Sequence, residues 1–329
     1  MKRFIFVTIC IIGGMFLFQQ VLALTVSPVK FEISGSPGQR LLGELELFNE
    51  QEETRTFYSS FENFEARGET GAPYFLPGKE GLATWIEAPA QVTLEPGERK
   101  TVPFSIQVPQ NADPGGHFAA IFWGTTPPQA KEGGQVTVGA KTGVLVLLTV
   151  SGEIKGGGGL LEFSTKNKQK IFNSLPITFI YRFQNNSADR IKPEGEIEIK
   201  NIFSRTLATL PANKTEGNVL PGSIRKFEVS WITQKDVVKG ETEIPKEAKT
   251  GFFGAVKKQW KDFHFGRYSA LLNLKYGTKN EEAKANYGFY IIPWQLLSVI
   301  IVILVVIGFL GFKGIKKYNQ WIIAKAKGR

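Results

Sequence analysis

Cysteine and histidine are almost missing from this sequence. Cys10 is the only cysteine, and His117 and His264 are the only histidines. Cys10 falls inside an N-terminal stretch with the pattern of an export signal. The mature chain therefore has no disulfide, no thiolate nucleophile and no thiolate-bound metal. Cys10 is also a poor lipidation site, because Val7-Thr8-Ile9 precede it where a small residue is usual. Neither histidine has a second one at metal-ligand spacing. There is no Gly-x-Ser-x-Gly elbow and no phosphate loop. The run from Gly156 to Gly159 lacks a following Lys-Ser/Thr and reads as a flexible linker. Carboxylates such as Glu44 and Glu46 alternate with apolar residues, as on a solvated strand face. These absences argue against an enzyme and against any cofactor.

Acid is missing from both ends, and that explains the net charge of +10. Of the 40 basic residues, Lys2 and Arg3 open the chain. Six more (Lys313, Lys316, Lys317, Lys325, Lys327 and Arg329) close it, which leaves 32 against 30 acidic residues between them. The basic balance belongs to targeting and anchoring and gives no footprint for nucleic acid. After Lys2 and Arg3, residues 4–18 are apolar and Val21-Leu22-Ala23 supplies a cleavage pattern. We place cleavage between Ala23 and Leu24, which makes residues 1–23 a signal peptide. Residues 293–312 read as a transmembrane helix, since the uncharged stretch from Trp294 onward would cover about 28 Å, close to a bilayer's hydrocarbon thickness. Its basic sequel, residues 313–329, is expected in the cytoplasm and the bulk of the chain outside the cell.

Between these ends the texture is all-β. Leu45 and Leu47 alternate with Glu44 and Glu46, and Ile197 and Ile199 with Glu196 and Glu198. The chain also repeats itself. Leu45-Glu46-Leu47-Phe48-Asn49 is answered by Tyr181-Arg182-Phe183-Gln184-Asn185. Leu94-Glu95-Pro96-Gly97 is answered by Leu220-Pro221-Gly222, and Gly116-His117-Phe118-Ala119-Ala120 by Gly266-Arg267-Tyr268-Ser269-Ala270. Pro-Gly makes a tight turn before the next strand. The Gly-x-aromatic-x-Ala pattern suits the strand that carries the tyrosine corner in immunoglobulin-like sandwiches. On this matching Ala120 and Ala270 hold core positions, Phe118 lacks a corner hydroxyl, and Tyr268 has one. The expected architecture is two tandem immunoglobulin-like β-sandwiches, residues 24–155 and 160–291, joined by the linker 156–159 and followed by one transmembrane helix. Their last strands are expected over residues 139–150 and 285–292.

The copies differ in one place. The second is much longer between its Pro-Gly turn and its late motif, and the additional residues carry an amphipathic stretch near residues 246–264. At about 100° per residue, Phe252, Phe253, Val256, Trp260 and Phe263 share roughly a third of the helical wheel, with Lys257, Lys258 and Lys261 opposite. The connection bearing this insert lies at the pole where the last strand ends, and Trp294 follows that strand almost at once. An interfacial helix beside the bilayer is one expectation, with Phe252, Phe253, Trp260, Lys257, Lys258, Lys261 and Trp294 at the interface. A helix packed back on the sandwich is the other. In the first sandwich, Tyr74, Trp85 and Trp123 are candidates for stacking on a ligand, with burial in the core as the competing explanation for both tryptophans. The connections over residues 49–55 and 125–135 would form its tips.

Several first-domain segments resemble the bacterial WxL-interacting proteins. They are Leu24-Thr25-Val26-Ser27-Pro28, Leu94-Glu95-Pro96-Gly97-Glu98, Val108-Pro109 and Asp113-Pro114-Gly115-Gly116-His117-Phe118-Ala119-Ala120-Ile121. The resemblance implies a pilus-chaperone-like first sandwich that binds peptidoglycan, a second sandwich that meets a protein partner, and a C-terminal membrane anchor. The expected function is thus a non-enzymatic cell-surface protein that binds cell wall or surface proteins. The competing one is an assembly factor whose open sheet edge accepts a strand from another exported protein.

Overall fold

The computed structural model describes residues 24–127, 140–233 and 251–327. The expected export signal, with Cys10 and Ala23, lies outside the described residues, as do residues 128–135 of the expected tip and residues 246–250 of the insert. Two compact units form, one ending at Lys155 and the other beginning at Gly156, with Gly68–Gly71 grouped with the second.

The first unit contains β1 (Leu24–Ser27), β2 (Lys30–Gly35), β3 (Arg40–Asn49), β4 (Arg55–Ala66), β5 (Pro73–Pro77), β6 (Ile86–Glu87), β7 (Gln91–Leu94), β8 (Arg99–Gln107), β9 (Gly115–Gly124) and β10 (Lys141–Val150). One sheet runs β1-β3-β8-β6. The other runs β2-β10-β9-β4-β5, with β7 also on β4. The chain changes sheets at the cis Ser27–Pro28 bond, so β1 is antiparallel to β3 while β2 is parallel to β10. Alternation decides which side chains go inside. Leu45 and Leu47 are buried and Glu44 and Glu46 are not, and the buried set joins Phe57, Leu94, Ile106, Ile121 and Trp123 in one core.

The second unit contains β11 (Gly158–Thr165), β12 (Ile171–Phe172), β13 (Ile177–Asn185), β14 (Glu194–Asn201), β15 (Thr206–Pro211), β16 (Ile224–Trp231), α1 (Phe252–Lys261), β17 (Gly266–Tyr276), β18 (Glu281–Ile291) and α2 (Trp294–Lys327). Its sheets are β11-β13-β16 and β12-β18-β17-β14-β15, again with a short early strand parallel to the last one. Both units are immunoglobulin-like β-sandwiches. The second core is rich in rings: Tyr181 stacks on Phe227 at 4.7 Å, and its hydroxyl donates to the Ala212 carbonyl at 3.1 Å. Burial pushes that hydroxyl well above its ordinary pKa, which keeps it a donor. The strand β18 begins at Glu281, earlier than residue 285, because its charged first half, including Glu282 and Lys284, pairs along β17 while facing water.

The repeats have a physical basis. Asn49 and Asn185 end equivalent strands and both are fully buried. The Asn49 amide donates to the carbonyls of Glu53, Leu94 and Glu95, and its oxygen accepts from Gln51 N–H. The Asn185 amide donates to Asp189 and Val219, and its oxygen accepts from Ser187 N–H. Each asparagine thereby ties the turn after its own strand to the segment before a Pro-Gly turn. The glycines of those turns, Gly97 and Gly222, have φ of 69° and 65°, where a side chain would be strained.

The late motif aligns differently from the sequence comparison. The sheet register opposes Gly115 to Val150 and Gly266 to Ile291, and both glycines have positive φ. His117 therefore matches Tyr268, and Ala119 matches Ala270; Ala119 is in the core, while Ala120 is buried on the opposite face of the sheet. His117 takes the corner position, with Nε2 2.9 Å from the Asp113 carbonyl and its ring 4.7 Å from Trp85. The first copy thus has a corner hydrogen bond after all, made by imidazole.

Candidate functional site

The helix α2 is long and apolar enough to cross a membrane. It leaves the second sandwich without a stalk. Ile291 is buried at the end of β18, Ile292 N–H donates to the Phe172 carbonyl at 2.8 Å, and Leu297 N–H reaches the Pro293 carbonyl at 3.0 Å to open the helix.

The first turn of α2 is held by α1. The first N–H groups of a helix have no partner within it. Here Gln259, 2% exposed, fills one of them: its Oε1 accepts from Leu296 N–H at 2.9 Å and its Nε2 donates to Gln295 Oε1 at 2.5 Å. The Phe252 ring stands edge-on to Trp294 at 6.1 Å. Ala255 and Val256 are half-buried, whereas Phe253 and Trp260 are 81% and 72% exposed and Lys257, Lys258 and Lys261 are exposed beside them. The helix thus splits the apolar stripe read from the sequence. One side meets α2, and Phe253 and Trp260 face outward. Tyr268 anchors the link from α1 into β17. Its hydroxyl accepts from Phe265 N–H at 3.1 Å and donates to the Phe265 carbonyl at 3.3 Å, and burial raises its pKa so that it stays protonated. Tyr268→Phe should cost about 0.5–1.5 kcal/mol, the usual net worth of a hydrogen bond, and hydrogen exchange at the Phe265 amide should speed up more than at the amides in the middle of β17.

The ligand candidates in the first sandwich separate by burial. Trp123 is fully buried in the core and offers no ring to a ligand. Trp85 packs partly buried against the same core and against His117. Tyr74 is 40% exposed, with the Arg67 guanidinium 4.2 Å above its ring. Sequence reading missed a row of phenylalanines on the sheet face opposite the core. Phe118 lies 5.8 Å from Phe64, Phe64 6.1 Å from Phe75, and Phe75 4.9 Å from Phe122, with Lys141 Nζ 4.1 Å above the Phe122 ring. The signal was present, because β9 is apolar without a break from Phe118 to Trp123, a pattern of strands covered on both faces. The residues that position α2, Gln259 and Gln295, were missed as well. Among the described residues, no group of three or more His, Cys, Asp or Glu is placed to hold a metal ion.

No protein-family model matches the chain, and no curated protein matches it. The likeness to WxL-interacting proteins therefore stands on its short motifs. Solved structures resemble the chain at low identity. The class 5 fimbriae chaperone CfaA is 11% identical, with a TM-score of 0.37, and the match covers 81% of this chain and 99% of that one. The Pseudomonas aeruginosa CupB2 chaperone is 9% identical with a TM-score of 0.34, covering 80% and 100%. A protein of unknown function from Porphyromonas gingivalis W83 is 13% identical with a TM-score of 0.27, covering 82% and 99%.

Proposed function

We infer that this chain is an exported, single-pass membrane protein that carries two immunoglobulin-like sandwiches outside the cell and works by binding, without enzyme chemistry. The observation that carries this reading is the join between β18 and α2. A core strand runs into an apolar helix within three residues, so the sandwich stands at the membrane once the helix is in lipid. The basic tail orients that helix with its C-terminus inside. The first sandwich is the receptor unit. Phe75 and Phe118, the half-buried members of its phenylalanine row, with exposed Tyr74 at hand, suit the apolar faces of wall sugars and the side chains of a surface protein. Peptidoglycan is the partner that the resemblance to WxL-interacting proteins favours.

Protease added to intact cells should remove the two sandwiches and spare an epitope placed after Arg329. Cleavage of the epitope with survival of the sandwiches would reverse the topology. Purified sacculi should retain the full chain from detergent extract, and Phe75→Ser should weaken retention more than Tyr74→Ala does.

One observation favours the assembly-factor reading. Residues Leu145 to Val150 of β10 pair with β2, but its start, Lys141 to Val144, pairs with β9 on one side and with no strand on the other among the described residues. That open edge can take an added strand. If this is the function, exported proteins and not sacculi will be retained.

A further inference from the structure

The pole of the second sandwich from which α2 leaves carries a second apolar projection, on a separate part of the chain. Sheet register locates it. Asn201, the last residue of β14, opposes Tyr268 near the start of β17, and Gly266 opposes Ile291 at the end of β18. The turn from β14 to β15 is therefore at the same pole as Trp294. Its tip is Ile202-Phe203, 68% and 83% exposed.

The tip is held in shape. Asn201 Oδ1 accepts from the N–H groups of both Phe203 and Arg205 at 3.0 Å, Ser204 N–H donates to the Asn201 carbonyl at 2.9 Å, and Asn201 N–H donates to the Arg205 carbonyl at 3.1 Å. Ser204 has φ of 60°. A polar turn of this kind is the usual place for Ser, Asn or Gly. Here the framework is present, yet its two outermost side chains are an isoleucine and a phenylalanine. Water disfavours both, and nothing in the turn's own hydrogen bonding calls for them. On α1, Phe253 and Trp260 are similarly outward, about 20° apart on the wheel at 100° per residue, and the helix is pinned to the first turn of α2 through Gln259.

We propose that the Ile202-Phe203 turn and the Phe253/Trp260 edge of α1 both enter the outer interface of the bilayer that α2 spans, so that the second sandwich is seated on the lipid at three points. The occupant is an anionic membrane surface. Continuity with α2 brings the bilayer to this pole, and the neighbouring basic side chains Lys257, Lys261 and Arg205 are exposed and match anionic headgroups. One attachment point leaves a domain free to swivel about its anchor; three fix its tilt. The inference rests on α2 spanning the membrane.

The test uses the full chain with Cys10→Ser, reconstituted in vesicles of phosphatidylcholine and phosphatidylglycerol at three to one. Single nitroxide labels are attached to Phe203→Cys, Phe253→Cys, Lys279→Cys and Ile303→Cys, all exposed positions. Accessibility to oxygen is compared with accessibility to a water-soluble nickel chelate. The labels at 203 and 253 should be shielded from nickel and open to oxygen, as the α2 label at 303 is. The label at 279, in the turn between β17 and β18 at the opposite pole, should be open to nickel. If 303 is lipid-exposed while 203 is as open to nickel as 279, the seating is overturned and the anchor stands. If 303 itself is aqueous, the spanning reading fails and the seating fails with it.

Discussion

Trp123→Ala should cost the first sandwich about 3–5 kcal/mol, the range for truncating a large buried aromatic side chain, whereas Trp123→Phe should cost about 1–2 kcal/mol, because one ring is kept and the cavity is smaller. Trp123 is fully buried, and β9 places it between Ser59 on β4 and Thr142 on β10. Alanine removes the whole ring and leaves a cavity in the core between the two sheets. Phenylalanine loses volume too, but it also removes an indole N–H that has no hydrogen-bond partner among the described residues. An unpaired buried donor carries a desolvation penalty, so its deletion offsets part of the lost packing. Urea unfolding of the full chain in micelles, with hydrogen exchange along β9 assigning the transition to the first unit, separates the cases. Equal loss from both substitutions would show that the N–H is satisfied and that losing it costs as much as the packing that phenylalanine retains. Tyr74→Ala, at an exposed position, should leave that transition within about 0.5 kcal/mol of the unsubstituted chain.

Much of this fold could be read before the structure was known, and the parts that could not share a cause. The alternation of Leu45 and Leu47 with Glu44 and Glu46 states which face of β3 is inside, because a polar face next to an apolar one leaves a single solution. β9 states no such thing. From Phe118 to Trp123 every residue is apolar and nothing in the pattern marks the inner face, so the motif aligned one residue off, and only the pairing of Gly115 with Val150 corrected it. The same ambiguity concealed the phenylalanine row. For α1, periodicity found the amphipathic helix but not how it sits. Gln259 looks like a solvated residue in sequence and is the most buried of its helix, because its partners, Gln295 and Leu296, lie on a helix far along the chain. The Ile202-Phe203 tip was silent for the opposite reason, since two apolar residues in a short turn have no period to detect.

The two asparagines allow the strongest comparison between the sandwiches. Asn49→Ala and Asn185→Ala should each cost about 1–3 kcal/mol, because truncation removes the side-chain hydrogen bonds of a buried amide, while the carbonyls of Glu95, Asp189 and Val219 keep a second donor in Glu98 N–H, the Ser187 hydroxyl and Ile191 N–H, and each should shift only the transition of its own unit. Asn185→Asp tests the donor role more sharply. The side chain keeps its shape and still accepts from Ser187, but an ionised carboxylate would turn an oxygen toward the Asp189 and Val219 carbonyls. Burial and that repulsion raise the carboxyl pKa in the folded state above its unfolded value, because both favour the protonated form. The folded state then holds the proton more tightly than the unfolded one. Stability of Asn185→Asp should therefore be greatest at low pH and fall as pH rises from the unfolded carboxyl pKa, near 4, through the raised folded one. Asn185→Ala has no carboxyl at this position and should lack that added slope. A flat difference between the two variants from pH 4 to pH 7 would mean that the amide donates nothing of consequence, and the physical basis for the repeated strand-end asparagine would be lost with it.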